Sequence, residues 1–129
     1  MIWELKLWQI MNKSLFTFSP STEINQAMSM LIKRKYSGAP VIDAHGKLIG
    51  ILTQKDCLKA LLNSHYHNSK GGNVSDYMTP DVETLDSNMD LFEVAQRFVN
   101  SNYRRFPVIE NNQLIGMVTR FDLLQSINE

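Results

Sequence analysis

Two tetrads in the sequence combine residue types that could do chemistry: Thr53-Gln54-Lys55-Asp56 and Thr119-Arg120-Phe121-Asp122. In each, a hydroxyl stands three residues ahead of a carboxylate, directly after an apolar run (Leu48 to Leu52, Leu114 to Val118). One reading is structural: a threonine N-cap with an acidic residue three positions on is a variant of the capping box. The other reading uses the same geometry for binding. A helix N-terminus offers unsatisfied N–H groups and a partial positive charge, so a phosphate can sit there with the threonine hydroxyl donating to it. The aspartate, acceptor-only when ionised, suits two vicinal ribose hydroxyls. Arg120, in the first turn of its helix, opposes the helix dipole unless an anion lies nearby.

Other reactive residues form no constellation. Cys57 reads as an inert buried thiol. His65 and His67 could contribute to a metal site, but no third and fourth ligands follow at suitable spacing, so no metal is expected. There is no Ser/His/Asp or Cys/His arrangement and no Walker-type glycine-rich loop. The chain reads as a sensor and not an enzyme, and Met28 and Met89 read as core filler.

The elements that position the tetrads come from an internal repeat. Ala39-Pro40-Val41-Ile42 aligns with Phe106-Pro107-Val108-Ile109 at an offset of 67, and Leu48-Ile49-Gly50 with Leu114-Ile115-Gly116 at an offset of 66. Upstream, Ile24, Ala27, Met28, Leu31 and Ile32 match Leu91, Val94, Ala95, Phe98 and Val99, and both sets follow the i, i+3, i+4, i+7, i+8 stripe of an amphipathic helix. Ser19 and Asp86 precede these helices as expected N-caps. Polar turns (Ala44-His45-Gly46, Asn111-Asn112) separate two strands in each copy, and a short helix closes each, with Leu58 and Leu61 matched by Leu124 and Ile127. The expected class is α/β (α+β), each copy running strand, helix, strand, strand, helix. Units this small should share a core through their sheets about a pseudo-two-fold axis. The expected boundaries are 1–62 for the first motif with its N-terminal extension, 63–73 for a connector rich in Asn, Ser and Gly, and 74–129 for the second motif. Trp3 and Trp8 precede the first repeat and either cap the module's own core or meet another protomer.

The repeated Pro-Val-Ile, Leu-Ile-Gly and Thr-x-x-Asp, each with a methionine near its start (Met11, Met78), resembles the cystathionine-beta-synthase (CBS) domain pair, or Bateman module, from about Leu7 to Ile127. The resemblance implies a regulatory module, commonly a disc-like homodimer, that binds AMP, ADP, ATP or S-adenosylmethionine in clefts between its motifs and signals to an effector protein. It assigns Asp56 and Asp122 to ribose and Thr53 and Thr119 to ribose or phosphate. It places Thr17, Tyr36 and Gly38, and Thr84 and Tyr103, on the adenine side, where each tyrosine is equally readable as a core or rim aromatic and Gly38 leaves room for a ring. It also puts Arg104 and Arg105 on phosphate, though such a pair can equally be a solvated turn. Ser37 and Gly38 occupy the matching places in the first copy, so one cleft should be richer in charge than the other. Lys33, Arg34 and Lys35 end the first helix, where cations complement its dipole and face solvent. An empty-cleft oligomerisation module is the alternative function.

Composition sets the outer limits. The 129 residues carry 13 Lys+Arg and 13 Asp+Glu, for a net charge of zero, with 43% hydrophobic residues. That balance removes the broad electrostatic case for nucleic acid or an acidic membrane. Cys57, the single cysteine, fits a reducing compartment. No signal-peptide core is evident and no apolar run approaches the ~18–20 residues of a membrane span, so the expectation is a cytoplasmic protein.

Overall fold

The computed structural model describes residues 2–67 and 71–128, with the side chains of Tyr66 and His67 outside the described set. The chain is mixed α and β: α1 (Ile24–Arg34), β1 (Gly38–Ile42), β2 (Leu48–Thr53), α2 (Gln54–His67), α3 (Val74–Tyr77), β3 (Leu85–Asp86), α4 (Leu91–Val99), β4 (Arg105–Glu110), β5 (Gln113–Thr119) and α5 (Arg120–Ile127), preceded by two 3-10 turns. Helix α2 runs through Asn63 and Ser64 to His67, inside the stretch that its composition marks as a connector. None of the described helices is long and apolar enough to cross a membrane.

Two compact units cut across the repeats. One comprises Phe16–Val82; the other joins Met1–Leu15 to Glu83–Glu129. Each repeat's leading segment therefore packs in the unit built by the other repeat. In the unit of the second repeat, Asn12 pairs with Met117 through N–H donations of 2.8 and 3.0 Å, and the fully buried Leu7 donates its N–H to the Met89 carbonyl. In the unit of the first repeat, Thr79 and Ile51 exchange the same pair of bonds at 2.9 Å, and the fully buried Val74 donates to the Thr22 carbonyl.

Each unit closes its own hydrophobic cluster. Phe18, Ile24, Ala27, Leu31, Val41, Leu52 and Val74 build one; Leu7, Leu85, Leu91, Val94, Phe98, Phe106, Val108 and Val118 build the other. β1 and β2 pair antiparallel, as do β4 and β5, and both ladders slip register after their Val (Val41, Val108). β3 joins β4 in parallel through α4, whereas among the described residues the first repeat has a single parallel bridge, Phe18 to Val41. Trp3 packs edge-on to Phe92 at 5.8 Å, against the second repeat's core, while Trp8 is 45% exposed.

Three sequence expectations are corrected. Ser19 and Asp86 do not cap the helices; each instead accepts the N–H two residues on, from Ser21 and Asn88, and so shapes a turn. The caps are Glu23, which accepts from Asn25 and Gln26, and Asp90, which accepts from Glu93. Of the matched residues on the closing helices, Leu58, Leu61 and Leu124 are exposed, whereas Ile127 packs on the second cluster. Cys57 and Leu123 point inward, whereas Leu58 and Leu124 stand 60% and 66% exposed. Finally, the stripes of α1 and α4 stop short: Ile32 and Val99 are 70% and 83% exposed.

Candidate functional site

Each tetrad sits where a strand hands over to a helix inside its own unit. At the first, the Thr53 backbone N–H and hydroxyl both donate to Asp56 Oδ2, at 2.9 and 3.0 Å, and the Asp56 N–H returns to Thr53 Oγ1 at 3.3 Å. At the second, Thr119 N–H donates to Asp122 Oδ2 at 2.9 Å and Asp122 N–H donates to Thr119 Oγ1 at 3.0 Å. Both are reciprocal capping boxes, which fix the carboxylates at the helix entrances. They differ in exposure. Asp56 is buried at 3%, whereas Asp122 is only half-buried.

The turn before each Pro-Val-Ile strand is tied to its helix entrance in the same way twice. Gln54 donates its N–H to the Ser37 carbonyl and its Nε2 to the Tyr36 carbonyl, both at 3.0 Å. Arg120 donates its N–H to the Arg104 carbonyl and its Nε to the Tyr103 carbonyl, again both at 3.0 Å. Across the sheets, Gly38 faces Thr53 and Arg105 faces Thr119. Position for position, Arg104, Arg105 and Arg120 stand where the first unit has Ser37, Gly38 and Gln54. All three arginines are exposed. No acidic side chain among the described residues is in ion-pair contact with them.

Gly38 has a reason other than space for a ring. A Cβ there would lie 2.8 Å from the Leu52 carbonyl oxygen and 3.3 Å from Thr53 Cα, so backbone approach demands the glycine. Thr17, half-buried, lies between Phe16 and Phe18 in an extended segment alongside β1, where Phe18 donates to the Pro40 carbonyl at 2.9 Å. The Tyr36 ring, 39% exposed, leans on Phe16 at 5.7 Å, and the Arg34 guanidinium covers the same Phe16 ring at 4.4 Å. Arg34 is thus a ring partner and not merely a solvated cation. In the second unit Tyr103 packs on buried Phe106 at 5.3 Å, and the half-buried Thr84 offers its carbonyl to Arg97, which also pairs with Glu83 at 2.9 Å.

Phe16, Arg34, Arg97 and Glu83 are neighbours that the motifs did not mark. Only the Phe-Thr-Phe run and the cations ending each helix hinted at them. Cys57 is buried, and that desolvation, helped by the Asp56 charge, pushes its thiol up. His65 precedes a side chain outside the described set. Among the described residues, no three His, Cys, Asp or Glu side chains gather as metal ligands.

The comparisons with known proteins follow the same repeat. The solved chain of CBSX2 in complex with AMP superposes with a TM-score of 0.81 at 27% identity, covering 95% of this chain and 96% of that one. The CBS domain pair of protein MJ0100, in complex with 5-methylthioadenosine and S-adenosyl-L-methionine, superposes with a TM-score of 0.74 at 28% identity, covering 96% of each chain. Among curated relatives, the uncharacterized protein MJ1225 of Methanocaldococcus jannaschii is 28% identical over 91% of this chain, and inosine-5'-monophosphate dehydrogenase of the same organism is 30% identical over 91%. The chain spans only 41% and 22% of their respective lengths. A CBS domain profile matches residues 7–63 and again residues 74–129, together nearly the whole chain. With its doubled strand-to-helix tetrads matched in both copies, the chain belongs to the CBS domain family.

Proposed function

We propose that this chain is a non-catalytic regulatory module that binds an adenosyl ligand, either an adenine nucleotide or S-adenosylmethionine. The observation that carries this reading is the pair of reciprocal Thr–Asp boxes, one of them at a helix entrance whose adjoining turn and strand carry Arg104, Arg105 and Arg120. In each unit the aspartate accepts from ribose hydroxyls and the threonine bonds ribose or phosphate groups. Thr17, Tyr36 and Gly38, and Thr84 and Tyr103, border the base. The three arginines make the second-repeat site the one that takes phosphate, because charge-assisted bonds to phosphate oxygens are the strong ones. The complexes of CBSX2 with AMP and of the MJ0100 pair with methylthioadenosine and S-adenosylmethionine support the ligand class.

In this reading, a second copy covers the exposed apolar helix faces, occupancy alters that contact, and an effector protein reads the change in the cytoplasm. Binding can move such an equilibrium only by differential affinity for its states. Calorimetric titration of ligand-free protein with AMP, ADP, ATP and S-adenosylmethionine, repeated on Asp56→Ala and Asp122→Ala, tests the proposal. At least one ligand should bind, and one of the variants should lose it. Absence of binding by all four would leave the boxes as helix caps in an oligomerisation module, whose mark is a melting temperature that nucleotides do not move.

A further inference from the structure

The Arg34 guanidinium lies over the Phe16 ring, its carbon 4.4 Å from the centroid. Two more rings fix the one beneath it: buried Phe18 meets Phe16 edge-on at 5.1 Å, and Tyr36 leans on it at 5.7 Å. Arg34 is exposed, and no carboxylate among the described residues pairs with it. A cation ending a helix complements the dipole without any ring, as the exposed Lys33 and Lys35 on either side do. The contact with Phe16 therefore does something else. A guanidinium is planar and weakly hydrated, and it stacks on flat π systems. With Phe16 against one face, the other face remains for a ligand, next to Thr17.

The second-repeat unit has no counterpart of this stack. At the offset of 67, Glu83 stands in the place of Phe16 and Ser101 in that of Arg34, and Tyr103 packs on Phe106 instead. The helix entrances differ in the opposite sense. Ser37, Gly38 and Gln54 bring no cation where the second unit has Arg104, Arg105 and Arg120. Thr53 directs its hydroxyl proton to Asp56 Oδ2, whereas no acceptor among the described residues takes that of Thr119. The first unit thus pairs a flat cationic surface with a helix entrance poor in phosphate donors, and the second unit reverses both.

Resting on the proposed place of Thr17 and Tyr36 at the base, we propose that Arg34, held on Phe16, is the surface on which the ligand's base stacks in the first-repeat unit, and that this site accordingly takes a purine nucleoside without a phosphate. Bases stack on arginine planes as they do on aromatic rings. Calorimetric titration of the ligand-free whole chain with adenosine, with hydrogen exchange to locate it, tests this. Adenosine should bind and slow exchange around Thr17, Tyr36 and Asp56. Arg34→Lys keeps the charge and loses the plane, so it should weaken adenosine by about tenfold or more, as loss of a stacking surface does. Arg34→Tyr restores a flat face and should recover most of that loss. The fluorescent analogue 2-aminopurine riboside, quenched when its base stacks, gives a readout that a merely structural role would not move: wild type should quench it at saturation, and Arg34→Lys should quench it much less. Wild type that binds the riboside without quenching overturns the platform with no variant at all, and so does an Arg34→Lys variant that binds adenosine as wild type does. Wild type that binds ADP but not adenosine, or adenosine that protects only the segment around Thr119, overturns the nucleoside assignment and leaves the proposed function standing. Failure to bind either adenosine or ADP overturns both.

Discussion

Thr119 and Asp122 hold one another across the entrance of α5, each accepting the other's backbone N–H, at 3.0 and 2.9 Å. A cap needs only an acceptor at residue 122, whereas the proposed ribose contact needs an ionised one. Asp122→Asn separates the two roles, because the amide oxygen still accepts from Thr119. Its unliganded stability should stay within about 1 kcal/mol of wild type, at the low end of a lost cap. Its ADP affinity should fall by about tenfold or more, as expected when a charge-assisted bond becomes a neutral one. Thermal melting and calorimetric titration of the same preparation check both halves, and unchanged ADP affinity would remove Asp122 from the site.

Asp56 makes the heavier structural contribution. It is buried, and its Oδ2 accepts from both the N–H and the hydroxyl of Thr53. Asp56→Ala strands two donors in a part-buried place, at about 1–3 kcal/mol for unsatisfied groups. Urea denaturation should therefore show a larger loss for Asp56→Ala than for Asp122→Ala, whose carboxylate accepts one N–H from Thr119 and is half solvated.

The tetrads were legible in the sequence because both their reading and their structure are local: four consecutive residues after an apolar run, stated twice. The strand pairs were legible for the same reason, each being a Pro-Val-Ile and a Leu-Ile-Gly run separated by a short polar turn. The exchange of leading segments was not. Leu7 and Val74 are both apolar residues ahead of a repeat, and hydrophobic pattern cannot say which core each enters. The caps were missed because Ser19, Ser21 and Glu23 all offer acceptors within five residues, and the helix begins only after Phe18 has paired with β1. The face of α2 was ambiguous because Cys57, Leu58, Ala60, Leu61 and Leu62 are apolar on two sides, so period alone does not choose the buried one. What Leu58, Leu61 and Leu62 leave exposed is a surface, and a monomer seldom presents a large one without use.

Glycine at the centre of each apolar strand is explained by a methionine together with the backbone beside it, since the Thr79 carbonyl oxygen would lie 3.0 Å from a Cβ on Gly50 and the Asn12 carbonyl oxygen 3.1 Å from one on Gly116. A Cβ on Gly116 would lie 2.5 Å from Met11 Sδ, and one on Gly50 would lie 2.7 Å from Met78 Sδ. Gly116→Ala should cost about 1–3 kcal/mol through overpacking. Met11→Ala in the same chain removes the Sδ and Cγ contacts and leaves the Asn12 carbonyl oxygen at 3.1 Å, so the double variant should lose less than the sum of the singles by at least about 0.5 kcal/mol, as contacting residues do. A denaturation cycle measures the difference, and strict additivity would place the strain elsewhere.

Burial raises the Cys57 thiol, with the Asp56 charge acting in the same sense. The folded thiol thus holds its proton more tightly than the unfolded one. The stability this contributes is complete at neutral pH and declines as pH climbs from the unfolded thiol's range through the folded value. Iodoacetamide should label the native chain at mildly alkaline pH at least about tenfold more slowly than the urea-unfolded chain, since the exposed thiolate is the nucleophile. Equal rates would mean that the thiol is open to solvent.

Leu7 and Val74 provide the test of the exchanged segments. Both are fully buried, Leu7 among Leu85, Leu91, Phe106 and Val118, and Val74 among Phe18, Ile24 and Leu52. Leu7→Ala should cost about 2–5 kcal/mol, as deletion of buried leucine atoms does, and Val74→Ala less because fewer atoms are removed. The location of the damage is the sharper readout. Native-state hydrogen exchange reports local opening free energies, which follow cooperative units and not chain order. Leu7→Ala, though it lies ahead of the first repeat, should lower protection most in β4 and β5; Val74→Ala, at the start of the second, should lower it most in β1 and β2. If each substitution instead loosened the repeat adjacent to it in sequence, the segments would pack with their own repeats and the exchange would be refuted.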